Sequence, residues 1–162
     1  MTFEPSYPSR RALLLGLVAS VSAAACGGSS STAPSSTNQT WVANVPFSTT
    51  DLTPGTGDEV VSGMTLSVDY FGWLYSTATS DNKGSLFDAS CQTTCTPLQF
   101  TVGAGRLIKG FEQGVLGMKI GGIRRVTIPP DLAYGATGSG TAIPPNATII
   151  FEIRANGVVT PT

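Results

Sequence analysis

Between Thr65 and Leu74 the chain alternates, with Leu66, Val68, Tyr70 and Gly72 on one side and Thr65, Ser67, Asp69 and Phe71 on the other. A period of two belongs to a strand that turns one face to a core. Leu98, Phe100 and Val102 repeat the pattern over a shorter stretch, and Ile149, Phe151 and Ile153 alternate with Ile150, Glu152 and Arg154. Ile123 to Ile128 predicts a further strand, stopped at Pro129-Pro130 because proline has no N–H to donate to a ladder. The period changes once. Between Lys109 and Met118, Phe111 and Val115 lie four apart with Leu116 beside them, which predicts one short helix with a buried face, ended by Gly121 and Gly122. Pro54-Gly55-Thr56-Gly57 predicts a turn, and the polar stretch from Ser76 to Ser85 a surface loop. Strands, one short helix and glycine-rich connections together describe an antiparallel α+β domain.

Composition agrees and removes several chemistries. The chain has 19 glycines, 11 prolines and only 12% charged residues, which suits short strands joined by turns. A formal net charge of -1 leaves no basic field for nucleic acid or an anionic membrane surface. The chain has 0 histidines, which excludes His-based triads, histidine general bases and His-ligated zinc. No metal and no cofactor are expected.

The N-terminus reads as an address and a tether. Arg10 and Arg11 precede an apolar run from Ala12 to Ala25 that ends in small residues, so 1–25 is expected to be a secretory signal. The run is shorter than the about 20 apolar residues a spanning helix needs. Ser9-Arg10-Arg11 before Ala12-Leu13-Leu14 fits a twin-arginine signal or the positive end of an ordinary one. Ala23-Ala24-Ala25-Cys26-Gly27 resembles the lipobox of bacterial lipoproteins, with Ala23 where leucine is usual. That resemblance implies a lipid on Cys26; the other reading is a plain cleavage site beside a chance cysteine. Residues 26–40 are a Ser/Gly/Thr-rich spacer without core-forming residues, and 41–162 are expected to fold.

Three stretches carry more than periodicity. The first is Val68-Asp69-Tyr70-Phe71-Gly72-Trp73-Leu74, with Leu86-Phe87-Asp88-Ala89-Ser90 after a loop. The second is Phe100-Thr101-Val102-Gly103-Ala104-Gly105-Arg106-Leu107-Ile108-Lys109-Gly110-Phe111-Glu112-Gln113-Gly114-Val115. The third is Ile128-Pro129-Pro130-Asp131-Leu132-Ala133-Tyr134-Gly135, followed by Ile143-Pro144-Pro145-Asn146-Ala147-Thr148-Ile149-Ile150-Phe151-Glu152. In order and spacing, from about Phe47 to Val158, these resemble the FKBP-type peptidyl-prolyl cis–trans isomerases, the immunophilins that bind FK506 and rapamycin.

The resemblance implies a bent antiparallel sheet wrapped around one short helix, with a pocket between them. Its wall and rim would be Tyr70, Phe87, Asp88, Phe100, Leu107, Ile108, Tyr134, Ile143 and Phe151. Phe111 would be the floor, where the family often has tryptophan, and Leu98 stands where an aromatic rim residue is common. The roles implied are an Ile108 N–H and a Tyr134 hydroxyl holding substrate carbonyls, and a Tyr70–Asp88 polar pair at the edge beside Phe87. The expected substrates are proline-containing exported polypeptides, FK506 and rapamycin are candidate ligands, and the protein is expected to be a monomer in the bacterial cell envelope. A module that holds one proline loop without turnover is the competing class. Residue by residue, Phe100, Phe111 and Phe151 also read as ordinary core, and Asp88-Ala89-Ser90 as a turn in which Asp88 bonds its own backbone.

Cys91 and Cys95 are not required by that family. In an oxidising compartment a disulfide is the default, with a redox-active pair or two free thiols as alternatives. Two thiolates without histidine leave a metal site incomplete.

Overall fold

The computed structural model describes residues 45–159 apart from position 93. The expected signal, the tether and Cys26 lie outside the described residues. Six strands are found among the described residues: β1 (Ser48–Thr53), β2 (Thr65–Tyr75), β3 (Lys83–Ala89), β4 (Leu98–Thr101), β5 (Ile123–Ile128) and β6 (Ile149–Val158). One α-helix, α1 (Lys109–Val115), follows β4, and a 3-10 turn spans Pro130–Leu132. The sheet runs β1-β5-β6-β2-β3, with β4 also on β2, and every pairing is antiparallel. β2 is shared along its length: Thr65 to Val68 pair with β4, and Phe71 to Tyr75 with β3. That hand-over leaves Asp69 and Tyr70 between two partners, beside the future site.

The inner row of β2 is the one alternation predicts. Leu66, Val68 and Leu74 are buried, and they share a core with Val126, Ile128, Ile149 and Ile153 from β5 and β6. The helix adds Phe111 and Val115. Each aliphatic side chain sealed there contributes on the order of 1.5–3 kcal/mol. The helix lies flush on β5 because two of its contact positions are glycine. A Cβ on Gly110 would run into Ile128, and one on Gly114 would lie 2.7 Å from Val126.

The helix is shorter than the Lys109–Met118 span predicted. Leu116 is extended and Gly117 has a φ of 71°, so the last turn stops at Val115. Leu116, expected on the buried face, is exposed, and Met118 takes the buried place. The guanidinium of Arg124 closes this end, donating to the carbonyls of Gly114, Leu116 and Gly117 at 3.1, 2.8 and 3.4 Å. These would otherwise be orphaned helix-end acceptors. The same guanidinium binds Asp51 at 2.6 and 3.2 Å, and this hydrogen bond holds the Asp51 carboxyl below its ordinary range.

Two strands differ from the reading of the sequence. β1 has no buried residue, so hydrophobic alternation cannot signal it; it is held by its backbone ladder to β5. The loop predicted from Ser76 to Ser85 is strand from Lys83 onward. Lys83 looks like loop material, but its ammonium meets the Glu152 carboxylate at 2.7 Å, the Asp81 carboxylate at 3.9 Å and the Trp73 ring at 4.4 Å. Glu152 also accepts from Arg125 at 2.8 Å, which joins β3, β5 and β6 across the outer face.

Candidate active site

Neighbouring positions on four strands, a loop and the helix bring aromatic rings to one end of the core. Tyr70 enters from the inner row of β2, Phe87 and Asp88 from β3, Leu98 and Phe100 from β4, and Phe151 from β6. Phe111 comes from α1, and Tyr134 from the segment after the Pro130–Leu132 turn. The rings meet edge to face. Phe111 and Phe151 have centroids 5.1 Å apart at 84°, Tyr70 lies 5.9 Å from Phe111 and 5.7 Å from Phe151, and Phe87 lies 5.6 Å from Phe151. Above them opens a cleft of about 110 Å³ lined by Tyr70, Asp88, Leu98, Leu107, Ile108, Phe111, Tyr134 and Phe151. Two larger depressions, of about 180 Å³ beside the helix and about 260 Å³ between the end of β1 and the Gly117–Gly122 segment, gather no aromatic rings.

Three of the sequence-predicted pocket residues stand outside that lining. Phe100 and Ile143 are buried, at 5% and 4% exposure, and belong to the hydrophobic core. Phe100 backs the Phe111 ring at 5.7 Å. Phe87 flanks Phe151 and is half-buried. Of the three rings also read as ordinary core, Phe100 is core alone, while Phe111 and Phe151 are both core and cleft floor.

The polar groups are set by the same elements. The Tyr70 hydroxyl donates to Asp88 Oδ2 at 2.7 Å, while Asp88 Oδ1 accepts from the Ala89 N–H at 2.9 Å. Asp88 thus makes its local turn and the pocket pair at once. Burial first, then the bond to the Asp88 carboxylate, pushes the Tyr70 hydroxyl far above its ordinary value of 10.0. Burial and the charge of Asp88 raise the Tyr134 hydroxyl as well. Both phenols are therefore neutral donors near pH 7. Among the described residues the Tyr134 hydroxyl has no hydrogen-bond partner, and neither has the Ile108 N–H, although the Ile108 carbonyl starts the helix by accepting from Phe111 at 3.0 Å. Two donors thus remain for a ligand beside an apolar floor.

Glu112 was not among the residues the sequence singled out. Its side chain turns back from the first helical turn and accepts three loop amides, those of Gly103 at 3.1 Å, Gly105 at 3.3 Å and Leu107 at 3.2 Å. The carboxylate is buried, and it fixes the loop that ends at Ile108. The available signal was a carboxylate on a buried helix, shortly after a Gly-Ala-Gly loop whose amides need an acceptor.

The edge beyond Asp88 is closed by the cysteines. Cys91 and Cys95 are disulfide-bonded across an isolated antiparallel bridge. Ser90, just before them, fills the gap in the β2 ladder: its N–H donates to the Tyr70 carbonyl at 3.0 Å and its Oγ accepts from the Tyr70 N–H at 2.9 Å. No cluster of side chains suited to a metal occurs among the described residues.

Comparison with known proteins shows the family. Residues 57–156 match the family described as FKBP-type peptidyl-prolyl cis-trans isomerase. The chain belongs to that family. An FK506-binding protein of Neisseria meningitidis serogroup A is 46% identical over 104 residues, covering 64% of this chain and 88% of the relative. One from Streptomyces anulatus is 47% identical over 102 residues, covering 62% and 77%. Among solved structures, AtFKBP13 superposes with a TM-score of 0.60 at 33% identity, over 70% of this chain and 93% of that one. A peptidyl-prolyl cis-trans isomerase of Pseudomonas syringae pv. tomato gives 0.57 at 34%, over 70% and 76%. The FKBP-type domain of this chain is accordingly a peptidyl-prolyl cis–trans isomerase, and its bent antiparallel sheet with one short helix is the family fold.

Proposed function

We propose that the isomerase domain, taken as 41–162, acts on proline-containing polypeptides exported to the bacterial cell envelope, and that its reaction centre is the cleft over Phe111 and Phe151. The observation that carries the reading is a pair of donors without a partner among the described residues, the Ile108 N–H and the Tyr134 hydroxyl, beside an edge-to-face aromatic floor. Rotation about an X–Pro bond must break amide resonance, a barrier of about 18–20 kcal/mol. Uncatalysed, it takes tens to hundreds of seconds. No nucleophile or metal is required. The twisted amide has less charge separation than the planar one, so a site that strips water from the prolyl carbonyl favours the transition state over the ground state. The rings enclose the proline, while Ile108 and Tyr134 orient the flanking carbonyls, which gives the rotation a fixed frame. The Tyr70–Asp88 pair holds the edge of that frame.

The same cleft is the place for FK506 or rapamycin. The export reading rests on the N-terminal sequence: a signal over 1–25, a lipid on Cys26 and a 26–40 spacer that holds the domain off the membrane. No helix among the described residues is long and apolar enough to cross a membrane. The site is tested with Tyr134→Phe and Phe87→Ala in a protease-coupled prolyl assay. Each should lower the rate while the fold, followed by circular dichroism, survives; wild-type rates in both would show the centre lies elsewhere. The anchor is tested with Cys26→Ser, which should move the protein from the membrane fraction to the soluble one. Membrane recovery of that variant, with no lipid on wild-type Cys26, would remove the lipoprotein.

A further inference from the structure

Gly72 lies on the inner row of β2, between Tyr70 and Leu74, buried, with Asp88 of β3 and Phe151 of β6 as its partners across the sheet. A glycine inside a buried strand weakens the strand, since it adds backbone entropy to the unfolded chain and no packing to the folded one. It is not there for its conformational freedom, because it is not among the glycines with positive φ. The reason is space. A Cβ at this position would stand 2.7 Å from Phe151 Cε1, 2.7 Å from Phe87 Cζ and 2.9 Å from Phe87 Cε2. Both rings therefore rest directly on the Gly72 backbone.

The consequence reaches the cleft. Phe151 is 4% exposed and already touches Tyr70, Phe87 and Phe111 edge to face, so it has few directions in which to retreat. The open space next to it is the cleft itself, about 110 Å³. Phe87 is only half-buried and can swing outward. We propose that Gly72 is a specificity-determining residue: its missing side chain seats Phe151 and Phe87 low enough for the cleft to admit a five-membered proline ring. This deepens the proposed reading of the cleft and rests on it.

The test is ring-size selectivity, which general destabilisation does not alter. Matched peptides carrying proline or azetidine-2-carboxylate, whose ring is one methylene smaller, are assayed with wild type and Gly72→Ala at equal folded fraction. One methylene in an apolar pocket is worth about 10- to 200-fold. The proline-to-azetidine ratio of kcat/KM should fall about tenfold in Gly72→Ala. Adding Phe87→Leu, which removes two of the three ring atoms that crowd the new methyl, should return part of that ratio. If Gly72→Ala does not fold, the double variant is compared with Phe87→Leu alone, and a smaller fall in ratio in the same direction is expected. An unchanged ratio in folded protein, or an equal loss with both peptides, overturns the proposal. Tyr134→Phe and Phe87→Ala separate this failure from failure of the site. If those variants slow the enzyme and the ratio stays, only the role of Gly72 is lost; if they do not, the cleft itself is wrong.

Discussion

Replacing Glu112 by glutamine tests whether one buried carboxylate holds the loop that presents Ile108. In the native structure Oε2 accepts from Gly103 and Gly105, and Oε1 from Leu107. Glutamine keeps one acceptor oxygen and puts an NH2 where the other was. If its oxygen serves the two glycines, an N–H donor faces the Leu107 N–H; if it serves Leu107, two amides lose their acceptor. A hydrogen bond to a charged group has a net worth of about 1.5–3 kcal/mol, and a stranded buried donor costs about 1–3 kcal/mol. Gly103 and Gly105 are exposed residues, so water replaces part of the loss and the lower end applies. The expected cost is about 2 kcal/mol, or roughly 8 °C in Tm at about 4 °C per kcal/mol for a domain of this size.

The functional effect should exceed the structural one. A misplacement of about 1 Å in a positioned group can cost up to about 100-fold, so a tenfold fall in kcat/KM is expected well below the melting range. Three measurements decide it: thermal unfolding, the protease-coupled rate at low temperature, and amide exchange at Gly103, Gly105 and Leu107. Exchange at these three should quicken while core amides of β2 and β6 stay protected. A Glu112→Gln protein that melts within about 2 °C of wild type and isomerises at the wild-type rate would refute the clamp.

The cysteines and the tyrosines give further expectations. The disulfide closes a short loop, so reduction should cost at most about 2–3 kcal/mol, and Cys91→Ser with Cys95→Ser should keep its activity. A several-fold change in rate between oxidised and reduced protein at equal folded fraction would make the pair a switch instead of a staple. With the Tyr70 and Tyr134 hydroxyls both raised above 10.0, the rate should be flat with pH from about 6 to 9. Their contribution to stability is fully present below the unfolded value of 10.0 and is lost as pH rises through the folded values. An alkaline titration that shows either phenol ionising in the native protein below about pH 9 contradicts that.

Much of this protein is legible in its order of residues. The alternation from Leu66 to Leu74 and from Ile149 to Ile153 is a local consequence of strand geometry, and the buried row is the predicted one. The spacing of Phe111 and Val115 likewise announces a helix, and the motifs around Tyr70, Phe87-Asp88, Leu107-Ile108 and Tyr134 announce the family. Where the chain's own periodicity is silent, the reading stops. β1 carries no apolar pattern because an exposed edge strand is held by main-chain bonds that any residue can make. Lys83 resembles loop material until Glu152, far along the chain, supplies its counter-charge. Only the folded chain separates Phe100 and Ile143, which are sealed in the core, from Phe111 and Phe151, which line the cleft. Glu112 and Gly72 act through groups on other segments: three loop amides for one, two rings from β3 and β6 for the other. Sequence periodicity reports which way a side chain faces, whereas the partner it meets there is decided by how distant segments pack.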